Sequence, residues 1–265
     1  MSRIKACLDR LKSQGRSALV PYLVAGDPRP EATVDILHAL VEGGADILEL
    51  GVPFSDPMAE GPTIQLAHER ALAHRVSLRS VLDMVARFRQ RDEDTPIVLM
   101  GYANPVERMG ARIFADAAAA AGVDGLLIVD MPPEEAGELN TELKRVGMDA
   151  IFLLAPTTTT ERMGHVARLA SGYLYYVSLR GVTGAAHLDV EEVDRKVAEI
   201  KALTDLPVAV GFGIKDGAAA AAIARVAEGV VVGSALVERM ATAGEQGAAS
   251  AGAALMTELR QAMDG

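Results

Sequence analysis

The chain has 265 residues, room for one large α/β barrel or two small domains; half are hydrophobic and 23% charged, a globular balance. A formal net charge of −10 argues against a nucleic-acid partner, whose backbone needs a basic face, yet allows a phosphorylated metabolite, because backbone N–H groups hold phosphate without lysine. The single cysteine excludes an internal disulfide, no apolar run approaches the ~18 residues of a membrane span, and charged residues from Arg3 to Arg10 break up any signal segment; a cytoplasmic protein with no membrane association is expected.

In chain order, Ile4, Cys7, Leu8 and Leu11 first mark one face of an N-terminal helix and make Cys7 a buried structural thiol. Eight short apolar runs follow: Ala18–Val24, Ile47–Gly51, Ile97–Met100, Gly125–Val129, Ala150–Leu154, Tyr173–Ser178, Pro207–Val210 and Gly229–Val232. Continuous rather than alternating, they read as strands buried on both faces. Amphipathic segments lie between them, with Ser77 and Asp189 as N-caps. The text Gly44-Ala45-Asp46 returns as Gly122-Val123-Asp124 and Gly147-Met148-Asp149, each time ending a helix at glycine and opening a strand. This is the pattern of a repeating unit, closed as a barrel or doubly wound as an open sheet.

Chemistry-bearing residues follow almost every strand, as in a barrel, whereas an open sheet gathers them at one switch point. The nearest dinucleotide fingerprint, Gly211 to Gly217, is one residue too long and comes late. The expected fold is therefore one α/β domain over residues 1–265, a (β/α)₈ TIM barrel with an extra N-terminal helix.

Glu49 interrupts an apolar strand near its C-terminal end, where desolvation would lift its pKa towards the range useful for proton transfer; a structural carboxylate paired with a cation is the plainer alternative. Glu60 follows in a loop punctuated by proline and glycine, where a merely solvated charge is also possible. Glycine-rich text after three successive strands, Gly181 to Gly184, Gly211 to Gly213 and Gly233-Ser234, suggests a phosphate site, with a short helix beginning at Ser234. Arg180 and His187 flank the first of these stretches, which reads as a lid. Tyr102, Asn104, Asp130 and Pro132 are placed to line the mouth, and Tyr175 shares a strand face with Tyr173. The five histidines stand at no ligand spacing, so no metal site is expected.

The stretch LELGVPFSDPMAEGPTIQ at Leu48–Gln65 resembles the signature of the tryptophan synthase α family. So do Pro21 to Pro28, Gly101 to Pro105, Asp130-Met131-Pro132, Leu154 to Thr157, Gly181 to Gly184 and Gly211 to Ile214, in order and in spacing over essentially the whole chain. The resemblance implies a lyase of tryptophan biosynthesis that cleaves indole-3-glycerol phosphate into indole and glyceraldehyde 3-phosphate, with no metal or organic cofactor. It implies that Glu49 is the acid/base carboxylate, that Glu60 holds the indole N–H, and that Tyr175 and Thr183 support the site. Gly184, Gly213, Gly233 and Ser234 would hold the phosphate, while Tyr22 and Leu127 would border the indole pocket.

It further implies a pyridoxal-phosphate β-subunit partner in an α₂β₂ heterotetramer, docked on loops carrying Pro53, Asp56, Asn104, Asp130 and Pro132. Position 60 departs from the family's usual aspartate by one methylene. The competing expectations are another phosphate-binding barrel such as an isomerase, a stand-alone indole-releasing lyase, and a catalytically weak barrel that mainly activates a β subunit.

Overall fold

The computed structural model describes residues 2–178, 189–211 and 213–265. Its eight parallel strands are β1 (Ala18–Val24), β2 (Leu48–Gly51), β3 (Ile97–Gly101), β4 (Gly125–Ile128), β5 (Asp149–Leu154), β6 (Leu174–Val177), β7 (Val208–Gly211) and β8 (Gly229–Val232). They succeed one another around a closed barrel, and β1 pairs with β8 from Ala18 opposite Gly229, so no edge is left open. The expected barrel is thus observed, with strand ends displaced by no more than a residue or so. The three repeated glycines, Gly44, Gly122 and Gly147, all take positive φ, which ends each preceding helix.

Why the strand-opening acids recur becomes clear at the lower rim. The first N–H groups of a parallel strand there have no neighbouring strand to pair with. In the odd strands a polar residue next in the barrel supplies both halves of a reciprocal clasp. Asp46 N–H donates to Leu19 O at 2.9 Å while its Oδ2 accepts from Leu19 N–H at 2.9 Å. Asp124 does the same with Ile97 at 2.8 and 2.8 Å, Ser171 with Ala150 at 2.9 and 3.0 Å, and Glu228 with Val208 at 3.0 and 3.0 Å. Asp149 departs from the pattern, its carboxylate accepting the Ser2 hydroxyl instead.

Helix α1 (Arg3–Ser13) lies across this lower end, with Ile4 and Leu11 buried. Cys7 is buried there too, its thiol pushed up to about 11 chiefly by desolvation, as a structural residue should be. Arg3 reaches Asp124 at 2.9 Å, and Arg89, from α4 (Leu78–Arg89), reaches the same carboxylate at 2.7 Å. Ser77 caps α4 in a capping box, and Asp189 caps α9 (Val190–Lys201), as expected. At the other end of the chain α11 (Ser234–Asp264) breaks at Gly244 (φ 70°, ψ 178°), so a short helix does open at Ser234 before the long one that packs on the barrel. Arg260 of that helix closes on Asp46 at 3.0 Å.

Asp124→Ala would remove a strand clasp and strand two arginines at once. A loss of about 3 kcal/mol in urea unfolding is expected, since breaking a buried pair leaves its partner uncompensated. The exposed pair Lys5–Asp9, broken by Asp9→Ala, should cost under ~1 kcal/mol in the same experiment.

Candidate active site

Strand β2 alternates Leu48 and Leu50 with Glu49, which sends the carboxylate to the barrel interior beside Tyr22, its register partner on β1. Glu49 is 0% exposed. The Tyr173 hydroxyl donates to its Oε1 at 2.6 Å, and Oε2 makes no hydrogen bond among the described residues. Burial pushes the Glu49 pKa up to about 7, with the tyrosine bond pulling the other way. Among the described residues no cation pairs with it. The carboxyl exchanges a proton near neutrality.

The loop after β2 is pinned at several points. His68, from α3 (Pro62–Ala73), accepts the Phe54 N–H through Nδ1 at 3.1 Å, and burial drives its pKa down to about 4, keeping the ring neutral. The Phe54 ring stacks on Tyr102 with centroids 4.8 Å apart. The Tyr102 hydroxyl accepts from Ala59 N–H at 3.0 Å and donates to Glu60 Oε2 in a short hydrogen bond, while Gln65 Nε2 donates to Glu60 O at 2.9 Å. Glu60 is only partly buried, and desolvation lifts its pKa to about 6 against the pull of Tyr102.

A cavity of about 780 Å³ opens over these residues. One part of its wall is aromatic and aliphatic, with Tyr22, Tyr175, Met100 and Ile64 beside the Glu60 carboxylate. Another part is formed by Gly213, Gly233 and Ser234, where α11 begins and its free N–H groups favour an anion. The shape suits a ligand with a flat apolar end and an anionic end.

The predicted residues divide accordingly. Tyr22, Glu60, Tyr175, Gly213, Gly233 and Ser234 line the cavity. Glu49 stands directly behind the wall, beside its register partner Tyr22, and is hydrogen-bonded to Tyr173. Leu127, on β4, is fully buried and not in the wall, where Met100 of β3 stands. Tyr102 is likewise buried and orients Glu60. Thr183 and Gly184, with the lid expected at 179–188, lie outside the described residues.

Gly211, read in the sequence as part of the phosphate text, leaves room for a tyrosine: a Cβ there would collide with the Tyr175 hydroxyl. Gly51 does the same for Tyr22, whose hydroxyl would lie 2.5 Å from a Cβ. Sequence reasoning missed Tyr173 and His68 as supports. The i, i+2 spacing of Tyr173 and Tyr175 was the available signal for the first; a lone helical histidine offered none for the second.

A family model described as tryptophan synthase alpha chain matches residues 8–264. The chain belongs to the tryptophan synthase alpha chain family. It is 57% identical over 265 residues to the tryptophan synthase alpha chain of Burkholderia pseudomallei (strain 1106a), covering 100% of this chain and 98% of that one. Against the Marinobacter nauticus alpha chain it is 61% identical over 241 residues, 91% of this chain and 89% of the relative. Among solved structures, tryptophan synthase subunit alpha from Legionella pneumophila str. Paris superposes with a TM-score of 0.93 at 47% identity, covering 100% and 99% of the two chains. Tryptophan synthase from M. tuberculosis in its aminoacrylate-bound form gives 0.89 at 37%, covering 99% and 100%.

In this member of the family each acidic group leans on one phenol, and a donated hydrogen bond favours the ionised carboxylate. Tyr173→Phe should therefore raise the Glu49 pKa above its value of about 7, and Tyr102→Phe should raise that of Glu60 above about 6. Infrared titration of the carboxyl bands reads both shifts, and unmoved bands would contradict the assigned hydrogen bonds.

Proposed function

We propose that Glu49 and Glu60 divide the chemistry of the lyase reaction that splits indole-3-glycerol phosphate into indole and glyceraldehyde 3-phosphate, the α reaction in tryptophan biosynthesis. The observation that carries this division is the contrast between the two carboxyls. One is fully buried with a pKa of about 7, and the other lies in the cavity wall with a pKa of about 6.

The hard step is to make indole C3 a leaving group. Glu49, in its protonated form, gives C3 a proton; the positive charge that results rests largely on N1, where the Glu60 carboxylate accepts the N–H and stabilises it. The side-chain hydroxyl then gives its proton to Glu49 as the C3–C1′ bond breaks. The bonding pair returns to the indole ring and the C1′ oxygen becomes the aldehyde. The proton lent at the start is thereby recovered. Glu49 Oε2, left free while Oε1 is held by Tyr173, is the oxygen available for both transfers.

Tyr22 and Tyr175 bound the indole, Met100 taking the wall position expected of Leu127. The N–H groups of Gly213, Gly233 and Ser234, together with the Ser234 hydroxyl, hold the phosphate, and that remote binding energy orients the reacting carbon. Thr183 and Gly184 would complete the site from the segment outside the described residues.

Residues 1–265 act as one domain in this reading, supported by the β1–β8 pairing and by α1 and α11 bracing opposite ends of the sequence on the same barrel. The chain serves a pyridoxal-phosphate β subunit in a cytoplasmic α₂β₂ assembly. Asp56, Asn104 and Asp130 are exposed at the mouth, Pro132 is half-buried, and Met58 in the same loop is 79% exposed, so an apolar side chain stands ready to be covered. Pro53 is buried and would stiffen the loop from beneath rather than touch a partner. The single cysteine accords with the cytoplasm, and among the described residues no helix is long and apolar enough to cross a membrane.

Steady-state indole release tests the division. The working form carries a proton on Glu49 and none on Glu60, so kcat should rise with pH through about 6 and fall through about 7. Glu49→Gln and Glu60→Ala should each lose at least ~10²-fold in kcat, with substrate binding nearly intact in Glu49→Gln. Turnover retained in either variant would remove that carboxylate from the mechanism. A cognate β subunit should raise indole consumption and co-sediment; indifference in both measurements would dismiss the docking face.

A further inference from the structure

The phosphate site assembled from Gly213, Gly233 and Ser234 consists of backbone N–H groups and one hydroxyl, none of which carries a net charge. The surroundings are unfriendly to a dianion: the chain has a formal net charge of −10, and Glu60 and Glu238 both line the same cavity. Two cations also line it, Lys215 and Arg239. Arg239 is engaged, its Nη1 lying 3.0 Å from Glu258 Oε2. Lys215 is exposed and makes no ion pair or hydrogen bond among the described residues. Its acidic neighbour Asp216 is occupied as the N-cap of α10 (Gly217–Ala224), where Oδ1 accepts from Ala219 N–H at 2.9 Å.

We infer that Lys215 is a substrate-binding residue, drawing the phosphoryl end of the substrate into the cavity by charge and holding it there beside the start of α11. The inference rests on the phosphate site proposed above and adds to it a cation free of any ion pair among the described residues. Lysine suits the task better than a preformed fork. Its ammonium is a strongly hydrated point charge on a flexible stem, so it attracts through water from several ångströms away without closing a fixed contact. A group that acts this way is sensitive to salt, because exposed charges are screened beyond about 8–10 Å at ordinary ionic strength. It also discriminates between substrates by their charge and is blind to their ring chemistry. A cation whose only service was to the fold would show neither property.

The test compares wild type with Lys215→Gln, Lys215→Glu and Lys215→Arg, each assayed for indole release from indole-3-glycerol phosphate and from its dephosphorylated counterpart, indole-3-glycerol. With the phosphorylated substrate at low salt, Lys215→Gln should lose about three- to tenfold in kcat/KM, mostly through KM, and Lys215→Glu should lose more. Lys215→Arg should restore most of the loss, and added salt should shrink the gap between wild type and Lys215→Gln. With the dephosphorylated substrate the Gln variant and wild type should agree. The Ki of inorganic phosphate should rise in parallel with KM. Lys215 sits on the surface, so these variants should keep the wild-type melting temperature.

Equal kcat/KM for the phosphorylated substrate in wild type, Lys215→Gln and Lys215→Glu would overturn the inference while leaving the phosphate site standing. An equal loss on both substrates would overturn it too, since that is the mark of a structural role. If wild type itself did not prefer the phosphorylated substrate, the phosphate site would fall and Lys215 with it.

Discussion

The constraint on which the rest of this structure depends is the closure of an apolar barrel around one carboxyl group. Glu49 is 0% exposed because β1 pairs with β8 and the strand residues on either side of it are leucines. Water that would solvate a carboxylate is excluded, and the ionised form loses its advantage until the pKa comes to about 7. A surface glutamate would be ionised at neutral pH and poor at giving up a proton. Here the fold itself makes the acid, and the tyrosine that touches it limits how far the shift goes.

Buried carboxylates in this chain are held in two ways, by arginines or by phenols. At the lower end Asp124 receives Arg3 and Arg89, and Asp46 receives Arg260; near the opposite rim Asp27, 1% exposed, is held by Arg70 at 2.6 Å. Those acids are held by arginines and clasp strands or loops. Glu49 and Glu60 have a phenol each and, among the described residues, no arginine. Arginine is plentiful in this chain, so its absence from both groups is a matter of placement. A guanidinium at Glu49 would hold the carboxylate ionised and remove the proton that the proposed mechanism lends; at Glu60 it would neutralise the charge proposed to face N1.

The architecture was largely legible before the coordinates, and for physical reasons. Strands buried on both faces must be continuous apolar runs, so a single glutamate inside one stood out. The glycine–acid pairs at strand starts were legible as boundaries, but their reciprocal clasps were not. Each joins residues 20 to 27 positions apart, and no local periodicity reveals which N–H such a side chain will find. Leu127, expected to border the pocket, is fully buried in the barrel. A one-dimensional pattern says that a strand residue is buried without saying which layer of the barrel it fills, and Met100 on the neighbouring strand occupies the layer that meets the cavity. At Gly211 the missing Cβ makes room for Tyr175, and a glycine that admits a ligand and a glycine that admits a tyrosine ring look alike in sequence.

The loop at position 60 is where sequence and geometry have most to say to each other. A loop punctuated by Pro57, Gly61 and Pro62 could absorb the extra methylene of glutamate by retreating. The observed loop has little freedom to retreat, since Phe54 is tied to His68, Ala59 to Tyr102, and the Glu60 carbonyl to Gln65. The added length is taken up by the side chain, whose Oε2 meets the Tyr102 hydroxyl while the backbone stays anchored by the same residue through Ala59. Tyr102 therefore fixes both ends of the arm. An aspartate on this backbone would end one carbon short of that hydroxyl, and would have to reach N1 either without the phenol or with Tyr102 moved off the Ala59 N–H. Carboxylate length and phenol position are thus a matched pair, and the departure at position 60 is a change in how the charge is held, with the charge itself kept in the cavity wall.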